Sequence, residues 1–199
     1  MACALMIDSV PSLNDVQRGF TLLELVVVVL ILGIVLAIAV PSYVGVVNGS
    51  RLTGTANELL ATLKAARTEA IRRNQRVVVC PSANGTSCAA DWSRGWLVFE
   101  DLDRSGSING SEPVITTAVP ADSTQILASP SVSATNRLAF GADGFARNAA
   151  GQLLSARFAV CRPVSRPQDN VRDVTLTSGS RTSITRREAS ASCAAPANP

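Results

Sequence analysis

The feature that most constrains this chain is an unbroken apolar run, Phe20–Val40, whose only charged residue is Glu24. As a helix rising ~1.5 Å per residue, it spans ~30 Å, the thickness of a bilayer core. Residues 1–19 ahead of it are mostly polar or small and end in Gln17-Arg18-Gly19. A secretory signal peptide is cut behind its apolar run, after small residues. Here the Arg-Gly pair stands in front, so a cut after Gly19 leaves the apolar segment on the mature protein. Glu24 then needs an explanation, because a bare carboxylate inside an apolar membrane helix is costly unless paired. The natural partner is the α-amine of a neighbouring subunit, freed by cleavage before Phe20. The plainer alternative is a membrane anchor with an incidental acid near the interface.

Beyond Pro41 the pattern changes. Leu52, Ala56, Leu59, Leu63, Ala66 and Ala70 recur in steps of four and three, the signature of an amphipathic helix with a narrow apolar stripe. Glu58, Lys64, Arg67, Arg72 and Arg73 fall on its other faces. The helix is expected to end near Asn74 and, if continuous with the apolar part, to reach ~80 Å. Pro41, Gly45 and Gly49 cluster at the junction and predict a kink or a meltable segment. From Arg76 on, short β-type runs alternate with turn residues: 77–80, 96–100, 114–117, 137–140, 155–161, 174–177 and 182–185. The expected fold class is α+β, a long N-terminal helix packed on an antiparallel β-sheet domain. Its parts are a leader (1–19), an apolar membrane or filament-core helix (20–49), an amphipathic helix (50–76) and a β-rich domain (77–199). The tail from Ala189 is expected to be loose apart from Cys193.

The segment Arg18-Gly19-Phe20-Thr21-Leu22-Leu23-Glu24, with Pro41 after it, resembles the N-terminal motif of the type IV pilin superfamily. The resemblance implies that a prepilin peptidase cuts between Gly19 and Phe20 and N-methylates Phe20. It implies that Glu24 pairs with the Phe20 amine of an adjacent subunit and sets axial register. Pro41 stands where family members bend or melt their helix. Cys80-Pro81-Ser82, Cys88, the stretch from Asp91 to Asp101 (DWSRGWLVFED) and Phe158-Ala159-Val160-Cys161 resemble the FimT/FimU/GspH subfamily of minor pilins and minor pseudopilins.

Membership of that subfamily would imply a structural and assembly subunit with no cofactor, not an enzyme. The expected role is a minor pilin that initiates a type IV pilus or sits near its tip. Two alternatives are an H-type minor pseudopilin of a type II secretion system and a pilus-displayed DNA-binding subunit. Implied partners are other pilin or pseudopilin subunits, the prepilin peptidase and inner-membrane assembly machinery, with DNA as a further candidate. The implied location is the inner membrane, spanned once, with the domain in the periplasm before filament entry.

The rest of the chemistry is sparse. The chain has no histidine, which excludes a Ser-His-Asp triad, a Cys-His pair and a His-ligated zinc site. It has five cysteines, and a cut after Gly19 removes Cys3 and leaves Cys80, Cys88, Cys161 and Cys193. An even count in an exported domain fits two disulfides. Of the three possible pairings, Cys80–Cys88 and Cys161–Cys193 are favoured because each closes a local loop; buried free thiols are the alternative.

Asp101, Asp103, Ser105 and Glu112 fit the spacing of a calcium loop, with Glu112 at the twelfth position. The flank 96–100 reads as a strand, however, so a solvated acidic hairpin turn is the plainer reading and no metal site is assigned.

Charge is polarised along the domain. Residues 137–187 hold nine arginines and three aspartates, net +6, whereas 91–122 hold six acids and two arginines, net −4. Arginines on a β-hairpin can grip phosphates through forked hydrogen bonds. In FimT-type minor pilins a Gly-Arg-rich element near the C-terminus is associated with DNA uptake. The local match is Ser178-Gly179-Ser180-Arg181, with Arg186 and Arg187 downstream; an extra serine separates glycine from arginine. Ion pairs with a neighbouring subunit's acidic patch are the alternative use of these arginines. The aromatic set Trp92, Trp96, Phe99, Phe140, Phe145 and Phe158 is expected in the core. Trp96 and Phe99 differ in strand parity and so face opposite sides unless a bulge intervenes.

Overall fold

The structure, a computed structural model, describes residues 19–199. Cys3, Gln17, Arg18 and the rest of the expected leader up to residue 18 lie outside the described residues. Helix α1 (Leu22–Arg73) is followed by strands β1 (Val77–Pro81), β2 (Trp96–Glu100), β3 (Val114–Ala118) and β4 (Gln125–Ala128). A one-turn helix α2 (Pro130–Ser133) precedes β5 (Leu138–Phe140), β6 (Ala146–Arg147), β7 (Ala156–Cys161), β8 (Val171–Leu176) and β9 (Thr182–Arg187). The boundary between two compact units falls after Pro41.

In the first unit, every described residue from Gly19 to Val40 is exposed. In the second, burial on α1 begins at Asn48 and continues at Leu52, Thr55, Ala56, Leu59, Thr62, Leu63, Ala66 and Ala70. That set contains the whole stripe expected from the periodicity. The helix ends at Arg73 and is closed by Asn74 in the left-handed conformation (φ 52°). No melted segment interrupts α1 at Pro41, Gly45 or Gly49. Proline removes one donor, and the two glycines make room for a loop. A Cβ on Gly45 would lie 3.6 Å from Arg166 Cβ, and one on Gly49 would lie 3.8 Å from Pro167 Cγ. Between them Asn48 Nδ2 donates to the Arg166 carbonyl at 3.0 Å.

The strands form two antiparallel sheets where one is expected from the sequence. The first has the order β3-β2-β1-β5-β6 and the second β4-β7-β8-β9. Strand alternation sorts their side chains. Val77, Val79, Trp96, Val98, Leu138 and Phe140 of the first sheet join Ile126, Phe158, Val160, Val174 and Leu176 of the second in one core with the α1 stripe. Trp96 Nε1 donates to Thr62 Oγ1 at 3.1 Å inside that core, tying the first sheet to the helix. Trp92 meets Phe158 edge-on at 5.0 Å. Trp96 and Phe99 do face opposite sides, although a register shift occurs at Val98/Phe99. Phe145 is the exception to the aromatic expectation: it is 38% exposed, in a turn.

Each sheet also has an outer apolar cluster. Val78, Cys80, Leu97, Phe99 and Ala139 form one, covered by Cys88 and Ile108. Ala159, Cys161 and Val171 form the other, covered by Leu127, Ala189 and Cys193. The Cys80–Cys88 and Cys161–Cys193 disulfides are both formed. Each fastens a segment over the outer face of one sheet. Within the tail, Pro196 is buried, and Asn198 Oδ1 accepts from the Ser131 amide at 3.0 Å.

Gly95, which links the 3-10 turn Trp92–Arg94 to β2, has φ 124°. A Cβ there would lie 2.7 Å from the Ala118 carbonyl oxygen. The glycine of the Asp91–Asp101 stretch thus lets β3 approach the turn.

Candidate functional site: the N-terminal helix and the charged faces

Gly19 and Phe20 precede α1 and are exposed. Thr21 begins the helix chemically. Its Oγ1 accepts from the Glu24 amide at 3.2 Å, and its carbonyl accepts from the Leu25 amide at 3.1 Å. This is the N-cap half of a capping box. The Thr-x-x-Glu spacing carries that signal in the sequence, where Thr21 is read only as part of a motif. Glu24 lies in the first turn, where a carboxylate is favoured by the helix dipole. It is surrounded by exposed Phe20, Leu22, Leu23, Leu25, Val27 and Val28. Among the described residues, a Cβ on Gly19 would meet nothing within 4 Å, so the fold itself does not demand glycine there. The apolar part of α1 is long enough to cross a membrane; its most apolar eighteen-residue window has mean hydropathy 3.2 and no buried residue. Pro41 lies inside α1, at the end of the first unit.

The acidic turn brings its three expected carboxylates together. Carboxylate oxygens of Asp101, Asp103 and Glu112 lie within 4.8 Å of one another. The chain's own donors already hold them. Asp101, almost wholly buried, accepts from the Gly106 amide at 3.2 Å and faces Arg76 Nε at 3.3 Å. Glu112 accepts from the Leu102 amide at 2.9 Å and the Asn109 amide at 3.1 Å. Asp103 accepts from the Ser105 amide at 2.9 Å, which holds its carboxyl below the ordinary value. Ser105 Oγ donates to the Ser107 carbonyl at 2.9 Å. Arg137 closes the turn from outside through Gly106 and Ser107. The arrangement is a self-satisfied hairpin turn between β2 and β3.

The arginines expected to act together do not share a face. Arg187 forms a two-pronged pair with Asp173, at 2.7 and 3.1 Å, and this bond raises its pKa. Arg186, next along β9, points to the other side. It sits opposite Arg172 and is 3.7 Å from Asp169. Arg172 is buried against Thr53 of α1 and Asp169, and burial pushes its pKa down. Arg181 is exposed in the turn before β9. Ser180, the serine that interrupts the Gly-Arg element, turns inward with φ 57°. Its Oγ accepts from the Ala146 amide at 2.8 Å and its carbonyl accepts from Arg67 Nη1 at 3.1 Å. It builds the turn instead of presenting an arginine.

The chain is similar to known proteins in both its N-terminal segment and its domain. A family model described as "Type II transport protein GspH" matches residues 55–180, and one described as "Prokaryotic N-terminal methylation motif" matches 14–40. A "Fimbrial protein" of Pseudomonas aeruginosa is 36% identical over 90 residues, covering 45% of this chain and 55% of that protein. The "Type IV major alpha-pilin" of Moraxella bovis is 45% identical over 47 residues, covering 24% of this chain and 30% of that protein. The match to the Pseudomonas relative thus spans about half of that relative's length. The type IV minor pilin FimU of Pseudomonas aeruginosa has a similar fold, with TM-score 0.51 and 23% identity over 67% of this chain and 87% of that one. With its exposed apolar helix, the methylation motif within it and the two-sheet domain that follows in the chain, the protein belongs to the GspH family.

Proposed function

We propose that this chain is the precursor of a minor pilin that initiates a type IV pilus or occupies its tip. A prepilin peptidase removes the leader between Gly19 and Phe20 and methylates Phe20. The apolar half of α1 first anchors the subunit in the inner membrane, with the domain in the periplasm. Inner-membrane assembly machinery then moves it into the filament beside other pilins. The observation that carries this reading is Glu24, a carboxylate in the first turn of α1, whose stretch up to Val40 is otherwise uncharged and exposed. Its charge is costly in hydrocarbon, and the Phe20 amine of an adjacent subunit would offset that cost. Glycine at position 19, which the fold does not require, is explained by the peptidase's close approach to the backbone.

The GspH family match supports a second reading, an H-type pseudopilin of a type II secretion system, with the same processing and the same role for Glu24. Display of a DNA-binding face is a separate reading of Arg181, Arg186 and Arg187. The pairing of Arg187 with Asp173 and the opposite facing of Arg186 weigh against a shared phosphate-gripping face.

Mass spectrometry of the assembled protein should find methylated Phe20 at its N-terminus. Gly19→Val should leave an uncut, membrane-retained precursor. Glu24→Ala should insert in the membrane at least as well as the parent chain yet enter filaments poorly. A mature chain starting elsewhere, or Glu24→Ala in filaments at the parental level, sinks the corresponding step. Complementation of a pilus-minus strain and of a secretion-minus strain would separate the two filament types.

A further inference from the structure

Lys64, Arg67 and Arg181 line one groove of about 440 Å³ between α1 and the turn that joins β8 to β9. No carboxylate lines it. Among the described residues none of the three cations has an ion-pair partner, whereas Arg72, Arg147 and Arg187 each hold one and Arg73 holds two. Lys64 and Arg181 are exposed and, among the described residues, donate no side-chain hydrogen bond. Arg67 is pinned by the Ser180 carbonyl at 3.1 Å. The floor is apolar, made by Leu63 and Phe140, both fully buried, and Ile71 stands half exposed at the rim. Three like charges around one groove repel one another, and an anion between them would gain from all three.

We infer that this groove receives a carboxylate-bearing segment of a different pilin subunit, with an aliphatic side chain beside the acid to cover Ile71. The inference rests on reading the chain as a filament subunit. Nucleic acid suits the groove poorly. Phe140 is buried and offers no face for a base to stack on, and the neighbouring Arg186 and Arg187 are directed to Asp169 and Asp173 and do not extend the groove into a phosphate track. The acidic turn of a second copy of this chain suits it poorly as well. In its most acidic segment, Asp101 and Glu112 are already held by Arg76 and by the amides of Gly106, Leu102 and Asn109.

Benzoylphenylalanine placed at Thr68 tests this in the full-length chain. Thr68 is exposed, lines the groove, and bonds only to its own helix at the Lys64 carbonyl. Irradiation of assembled filaments should give an adduct with another pilin, and the mapped peptide should contain Asp or Glu. Lys64→Glu with Arg181→Glu should lower the adduct yield about tenfold, and changing the mapped acid to lysine should restore it. Folding of the variant is checked by the absence of free thiols. If the reversal disturbs folding, Lys64→Gln with Arg181→Gln carries the test, with loss of adduct again expected. An adduct that nuclease removes, an adduct with a second copy of this chain, no adduct, or a yield indifferent to charge reversal overturns the inference. Filament entry is scored separately by immunoblot of sheared filaments. Normal entry with no adduct refutes the groove alone, whereas failure of the unsubstituted chain to be processed or to enter refutes the subunit reading.

Discussion

At Thr62 a single hydroxyl serves two neighbours. Its Oγ1 donates to the Glu58 carbonyl at 2.9 Å and accepts from Trp96 Nε1 at 3.1 Å. Thr62→Val keeps the shape but leaves the buried indole N–H without a partner, so urea unfolding should show a loss of ~1–3 kcal/mol. A loss below about 0.5 kcal/mol would mean that the indole finds another acceptor. At this scale the sequence is legible where spacing alone decides. Leu52, Ala56, Leu59, Leu63, Ala66 and Ala70 declare their burial by recurring on one helix face. The Thr62–Trp96 bond is not legible, because it depends on how a strand 34 residues away is set against the helix. The same holds for Ser180: a deviation in the Gly-Arg element proves to be an inward-facing turn residue bonded to Ala146 and Arg67.

Among elements, most strands announce themselves by β-branched and aromatic runs between turn residues. Two do not. β4 has only Gln125–Ala128 before Ser129-Pro130, and β6 has two residues. The division into two sheets is also invisible locally, because it is decided by long-range pairing such as Ile126 with Val160. Both disulfides are legible because each closes a local loop. Their separations, 8 residues for Cys80–Cys88 and 32 for Cys161–Cys193, set different loop-closure entropies. On that basis, converting both cysteines to alanine should cost ~2.5 kcal/mol for the first pair and ~4 kcal/mol for the second. Urea titration of a chain begun at Ser42 measures both. Equal costs would show that covering the outer faces, and not closing the loops, dominates.

For the whole molecule, sequence charge misleads. The net +6 between residues 137 and 187 does not say which arginines are available: the three aspartates already counted in it take Arg147, Arg172 and Arg187, and Arg162 is buried. The Asp143 carboxyl is held down to about 2, mainly by its hydrogen bond with Arg147. Changing Arg181, Arg186 and Arg187 together to glutamine should therefore alter filament entry more than DNA retention. A gel-shift titration at low salt should show no retention of DNA by the parent domain. A shift that weakens with salt, with a log–log slope of about −2 to −3, and disappears in the triple variant would restore the DNA-uptake reading.

The sulfur bridges over the two outer sheet faces give the molecule a sense of place. Each sheet is finished by a strap fastened through oxidation, with Cys88 on one side and Cys193 on the other. In a reducing cytosol both straps hang open and the apolar residues beneath them stay insecurely covered. Reducing both bridges should therefore leave the apolar residues beneath them less securely covered and make the domain more open to limited proteolysis.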